Sequence, residues 1–153
     1  MHDMNKDNSA KLKRVLFLCT GNYYRSRYAE IYFNWQAEQR GLPWTAESRG
    51  LAINGSNYGP ISCHTVTRLK HQGIKHDADQ RYPLPLSEAD LTAADLVVAV
   101  KDAEHRPLVA ARFPMWSDRI EYWHIHDLDC AMPESAIPHL ENELVQLIDR
   151  LAA

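Results

Sequence analysis

A chain of 153 residues, 45% apolar and 24% charged, has the size and composition of one ordinary globular domain whose core needs no disulfide staples. Its net charge of −3 and the lack of any Lys/Arg stripe argue against a nucleic-acid partner, so a bound anion has to be held by a local device. No apolar run approaches about 18 residues, which argues against a membrane-spanning helix, and three widely spaced cysteines point to a reducing, cytoplasmic setting, not a disulfide framework.

Residues 1–13 are polar and charged and are expected to be a frayed tail, with residues 14–153 forming a single domain. Val15-Leu16-Phe17-Leu18 is a short continuous apolar run, as in a central parallel strand buried on both faces. Tyr28, Ile31, Tyr32 and Trp35 then recur at helical spacing, and Gly41 stands where that helix should stop. A second strand is expected near Thr45 to Ser48, followed by a Gly/Asn/Ser-rich loop from Gly50 to Gly59. Ser62 is placed to cap a helix carrying Val66 and Leu69 and ended by Gly73. After a loop with Pro83 and Pro85, Leu96 to Val100 is the clearest strand, and the next helix begins at either Asp102 or Pro107. Ile120 to Ile125 is a fourth strand candidate, and Ile137, Leu140, Leu144, Leu147, Ile148 and Leu151 form the apolar face of a closing helix. Strands alternating with helices predict an α/β fold, a four-stranded parallel sheet in a three-layer α/β/α sandwich. In such sheets ligands bind beyond the carboxyl ends of the strands, where strand order reverses.

The chemistry gathers at the turn after the first strand. Cys19 ends the strand and Ser26 begins the helix, with Thr20, Gly21, Asn22, Tyr23, Tyr24 and Arg25 between them. A loop of this length can wrap a tetrahedral oxyanion such as phosphate, its backbone N–H groups converging as a nest beside the helix N-terminus. Gly21 and Asn22 tolerate the left-handed backbone such a wrap needs. Arg25 offers a planar fork for two phosphate oxygens. Cys19 sits at the floor, where positive surroundings favour a nucleophilic thiolate. Ser26 is placed to donate to that sulfur and also to cap the helix. A cysteine after an apolar strand is otherwise a small buried hydrophobe; strand, Gly-Asn turn and helix in register favour the chemical reading.

The run Leu16 to Glu30, LFLCTGNYYRSRYAE, resembles the phosphate-binding loop of the low-molecular-weight protein tyrosine phosphatases. Ser48-Arg49-Gly50, Ile61 to Thr65 and Ala94 to Asp102 resemble further segments of that family in the same order. The resemblance implies a phosphatase I-like fold and a two-step hydrolysis of phosphate monoesters with no metal and no cofactor. Cys19 would be the nucleophile, Arg25 the phosphate clamp, Ser26 the support of the thiolate, and Asn22 the keeper of the loop's shape. The backbone of Thr20 to Ser26 would cradle the phosphate. The family's general acid is an aspartate normally followed by proline. Here Asp127, at the spacing from Trp123 seen in related arsenate reductases, is the first candidate and Asp129 the second. Tyr24 stands where some relatives carry a second, guarding cysteine. The implied substrate is a phosphotyrosine protein or a small aryl phosphate, on which Tyr23 could stack, with Ile53 to Tyr58 forming another cleft wall.

Two other functions compete. An arsenate reductase of this fold needs a cysteine just after the third strand, where this chain has Lys101-Asp102-Ala103. A non-catalytic phospho-ligand binding protein would not need the full set of Cys19, Arg25 and an acid. Cys63 and Cys130 are expected to be core or loop residues. His124 and His126 would share a strand face but lack a third ligand at metal spacing.

Overall fold

The computed structural model describes residues 12–127 and 131–153. Four parallel strands form one sheet: β1 (Lys13–Cys19), β2 (Trp44–Gly50), β3 (Leu96–Ala99) and β4 (Glu121–Tyr122), in the spatial order β2-β1-β3-β4. Five α-helices accompany them: α1 (Arg25–Arg40), α2 (Cys63–His71), α3 (Glu88–Ala93), α4 (Asp102–Arg112) and α5 (Pro133–Ala152), with a 3-10 helix at Pro114–Arg119.

The unbroken apolar run of β1 follows from its central place, with strands on both sides and helices on both faces. Val15 and Phe17 pack with Tyr28 and Phe33 of α1, Leu69 of α2, and Leu140 and Leu144 of α5. Leu16 and Leu18 face the other way, onto Leu91 of α3 and Val109 of α4. Both layers of the expected sandwich are therefore anchored on alternate residues of one strand. Each fully buried side chain of this kind contributes about 1.5–3 kcal/mol.

Several local expectations are corrected. Residues 1–11 of the expected tail lie outside the described residues, and Lys13 is already the first residue of β1. In α1 the buried apolar face is Tyr28, Ala29, Tyr32, Phe33 and Ala37, while Ile31 and Trp35 sit at its edge. The helix turns Phe33 onto Phe17, with ring centroids 5.9 Å apart, so the stripe lies one position round from the expected one. Gly41 does stop α1, at φ 64°. Helix α4 begins at Asp102 and carries Pro107 inside it. Helix α3, not among the expected elements, follows the loop with Pro83 and Pro85 and starts at a capping box formed by Ser87 and Asp90. Strand β4 is only Glu121–Tyr122, because the chain then bends across the end of β3: Trp123 N–H donates to the Ala99 carbonyl at 2.9 Å and Ile125 N–H to the Val100 carbonyl at 2.7 Å. That bend brings Asp127 over the carboxyl end of β1. Strand order reverses about β1, so its C-terminal end is the place where the fold leaves a crevice.

Candidate active site

The loop from Cys19 to Arg25 follows β1 and delivers α1. Asn22 is the one described non-glycine residue with positive φ, at 50°; of the two residues expected to permit the turn, it makes the left-handed step and Gly21 does not. Asn22 is fully buried and its amide is satisfied on both sides. Its Nδ2 donates to Ser26 Oγ and Ser48 Oγ, each at 2.9 Å, and its Oδ1 accepts from Arg81 Nη1 and the Leu84 N–H, each at 3.0 Å. Arg81 also reaches the Ser48 carbonyl and, at 3.3 Å, Glu30. The loop's shape is thus tied to β2, to α1 and to the segment before α3.

Cys19 Sγ lies 2.9 Å from Ser26 Oγ and accepts from the Asn22 N–H at 3.2 Å. Ser26 Oγ already accepts from Asn22 Nδ2, so its own hydrogen is free to point at the sulfur. Ser26 does not cap α1; Tyr24 occupies the N-cap position and Ser26 lies in the first turn. Ser62 caps α2 as expected, its Oγ accepting from the His64 N–H at 3.2 Å, and its own N–H donates to the Tyr23 carbonyl.

Arg25 is 2% exposed and is gripped by a residue the sequence did not single out. Glu104, in the first turn of α4, accepts from Arg25 Nη1 at 3.2 Å and Nη2 at 2.8 Å, and also from the Thr20 hydroxyl. Arg25 Nη1 donates to the Ile125 carbonyl as well, and Asp127 Oδ2 lies 3.3 Å from Nη2. His105 is buried beside this cluster, with Nδ1 accepting from the Lys101 N–H at 3.1 Å. Its proton therefore sits on Nε2, 3.1 Å from Thr20 Oγ1 and 3.2 Å from Glu104 Oε2. Burial favours the neutral forms, and for His105 it prevails, pushing the imidazole below its usual range. For Glu104 burial is overcome by hydrogen bonds from His105, Arg25 and Thr20, which hold the carboxyl well below the usual range. Burial likewise opposes the charge on Arg25, but Glu104, Cys19 and Asp127 raise its pKa.

One cavity of about 290 Å³ collects Cys19, Thr20, Gly21, Tyr23, Tyr24, Arg25 and Asp127. Asn22 and Ser26 lie buried behind it. Of the wall expected from residues 53–58, Asn54 and Asn57 line the cavity; Ala52, just before that segment, and Ser62 complete it. The Tyr23 hydroxyl donates to the Tyr58 carbonyl, bridging loop and wall. Asp129 and Cys130 lie outside the described residues, and Cys63 is an exposed helix residue, not a core one. Among the described residues, no group of three or more His, Cys, Asp or Glu side chains gathers as a metal-ligand set. The arrangement can seat a tetrahedral oxyanion between backbone donors and a guanidinium, above a sulfur and beside a carboxyl group.

The family model of the low molecular weight phosphotyrosine protein phosphatases matches residues 14–150. The protein-arginine-phosphatase of Bacillus subtilis (strain 168) is 33% identical over 108 residues, 69% of this chain and 67% of that protein. An arsenate reductase of Brevibacillus brevis is 29% identical over 115 residues, 75% of this chain and 76% of that protein. Among solved structures, a low molecular weight protein tyrosine phosphatase from T. tengcongensis superposes with a TM-score of 0.72 at 32% identity, covering 92% of this chain and 97% of its own. With the matched segment spanning β1 to α5 and taking in the whole Cys19–Ser26 loop, the chain belongs to the low molecular weight phosphotyrosine protein phosphatase family.

Proposed function

We propose that the protein hydrolyses phosphate monoesters on phosphorylated protein side chains, phosphotyrosine first among them, through a phospho-cysteine at Cys19. The observation that carries this is the sulfur itself. Cys19 Sγ is held by the Asn22 N–H and Ser26 Oγ at the floor of a cavity that Arg25 and Asp127 also line. In the first step Sγ attacks phosphorus in line and the P–O bond to the leaving group breaks, while the Asp127 carboxylic acid gives its proton to the departing oxygen. In the second step Asp127 takes a proton from water, the water oxygen bonds to phosphorus, the P–S bond breaks and phosphate leaves. The loop N–H groups and Arg25 meet the charge that spreads over the equatorial oxygens, and such preorganised donors supply most of the acceleration. A reducing, cytoplasmic setting suits a thiol nucleophile, and no helix among the described residues is long and apolar enough to cross a membrane.

Aryl-phosphate hydrolysis by wild type, Cys19→Ser, Asp127→Asn and Asp129→Asn tests the assignment. Cys19→Ser should lose turnover entirely, and Asp127→Asn should lose about 10²–10⁴-fold, with Asp129→Asn close to wild type. Turnover surviving in Cys19→Ser ends the mechanism; a large loss in Asp129→Asn alone moves the acid to that residue.

A second substrate class is supported by the similarity to a protein-arginine-phosphatase and by the polar lining of the cavity, where Asn54 and Asn57 stand with the Asp127 carboxylate, a group that can pair with a guanidinium. Comparing kcat/KM for a phosphoarginine peptide and a phosphotyrosine peptide decides between the two. The arsenate reductase alternative is weakened by Lys101-Asp102-Ala103 after β3, where that chemistry requires a cysteine.

A further inference from the structure

We propose that the side-chain hydroxyl of Tyr24 is a substrate-directed hydrogen-bond donor, reaching an oxygen of the bound phosphoryl group from the side that Asp127 occupies. The inference rests on the phosphatase reading and adds to it a side-chain contact distinct from the loop's backbone donors.

Tyr24 is 5% exposed, and its hydroxyl is the only buried side-chain nitrogen or oxygen among the described residues that has no hydrogen-bond partner. Its neighbours in the loop are satisfied within the protein: Thr20 by Glu104, Asn22 by four partners, Ser26 by Cys19 and Asn22, Arg25 by Glu104 and Ile125. An orphaned buried donor destabilises the resting protein, and a phenylalanine would fill the same space without that penalty. Such a group makes physical sense where a ligand supplies the missing acceptor. Tyr24 lines the same cavity as Cys19, Arg25 and Asp127, and its ring is braced edge-on by His64, with centroids 6.1 Å apart. Burial, and then the charge of Asp127, push its phenol up to about 12, so it keeps its proton and acts as a donor at neutral pH. A phosphoryl dianion brings strong acceptors into that cavity, and a neutral O–H donating to one is a charge-assisted bond.

The test compares wild type with Tyr24→Phe, which keeps the ring and its packing on His64. Two quantities are read: the thermal midpoint without ligand, and the dissociation constant of inorganic phosphate measured by competition against aryl-phosphate hydrolysis. The variant should melt about 2–4 °C higher, because the orphaned group is gone, yet bind phosphate about 10-fold more weakly and lose kcat/KM by a similar factor. Opposite signs on stability and binding are what a merely structural tyrosine would not produce. A lower midpoint overturns the proposal whatever the affinity, since the hydroxyl would then already be satisfied in the resting protein. Equal phosphate affinity in the two proteins overturns it as well. If the wild type itself neither binds phosphate nor releases it from an aryl ester, the phosphatase reading falls and this proposal with it. If the wild type does both and the variant matches it, Tyr24 alone is overturned.

Discussion

Arg25 has both terminal nitrogens on Glu104, and that bidentate grip sets the plane in which the guanidinium meets a ligand. Glu104 also holds the Thr20 side chain and, with His105, ties the loop to α4. Glu104→Gln keeps the shape but removes the charge opposite a buried cation. It should lower kcat/KM by about 10–100-fold through a misplaced clamp and cost about 1–3 kcal/mol of stability, read from aryl-phosphate kinetics and urea unfolding; wild-type kinetics in the variant would show that Arg25 holds its plane unaided. Nothing in the sequence marks Glu104. It lies 79 positions from Arg25, and a carboxylate in the first turn of a helix is ordinary, because it complements the helix dipole. The general hint is that a buried arginine needs an anionic partner. The proximity of Cys19, Arg25 and Ser26 was legible because all three stand within one short loop of the sequence.

At the level of elements, β2 closely approaches the loop that follows β1. Gly50 pairs with Cys19 across the sheet, and a Cβ there would stand 3.0 Å from the Thr20 carbonyl, 3.1 Å from Asn22 Cβ and 2.7 Å from Ile53 Cγ1. Two of those neighbours belong to the loop, and one is backbone that cannot move without deforming it. Gly50→Ala should therefore cost about 1–3 kcal/mol, with inorganic phosphate binding weakened alongside; unchanged phosphate affinity in a destabilised variant would show that the loop yields without losing its shape. Elsewhere the elements divide by how local their signals are. The caps Ser62 and Gly41 and the apolar face of α5 could be read directly, because a cap or a helical stripe is written within a few residues. The face of α1 was misplaced by about one position, since Tyr, Ile and Trp at helical spacing mark a plausible stripe while Phe17 across the interface selects Phe33. Strand β4 is shorter than the Ile120–Ile125 segment because the chain bends after Tyr122 and then pairs with the end of β3 without extending the strand.

Over the whole molecule, two buried titratable groups, His105 and Glu141, and the partly buried Glu104 shape the response to acid. His105 is held below its ordinary value by burial, and Glu104 and Glu141 are held below theirs because hydrogen bonds outweigh burial. Glu141 accepts from Arg68 at 2.8 Å and from Gln72 at 3.1 Å, and also from Tyr28, joining α5 to α1 and α2. In each case the unfolded chain takes up protons more readily than the folded one, so stability is complete above the unfolded value and declines as pH falls. The decline should begin below about 6.5 through His105 and steepen below about 4.5 through the two glutamates. Glu141→Gln should be less stable than wild type at pH 7 by about 1–3 kcal/mol, with the gap closing below pH 4.5; a gap independent of pH in urea unfolding would remove Glu141 from this account.

Read from residues alone, the α/β sandwich and the loop at the end of the first strand were determined, and Cys19, Arg25 and Ser26 were placed together in that loop, because periodicity and a seven-residue spacing are local properties of a chain. Only the folded molecule decided that Glu104 grips Arg25, that Asn22 makes the left-handed step, that Asp127 lies 3.3 Å from the Arg25 guanidinium, and that the Tyr24 hydroxyl is left without a partner. Those outcomes depend on which distant segments the sheet order brings side by side, and on which buried polar groups find an acceptor once everything has packed.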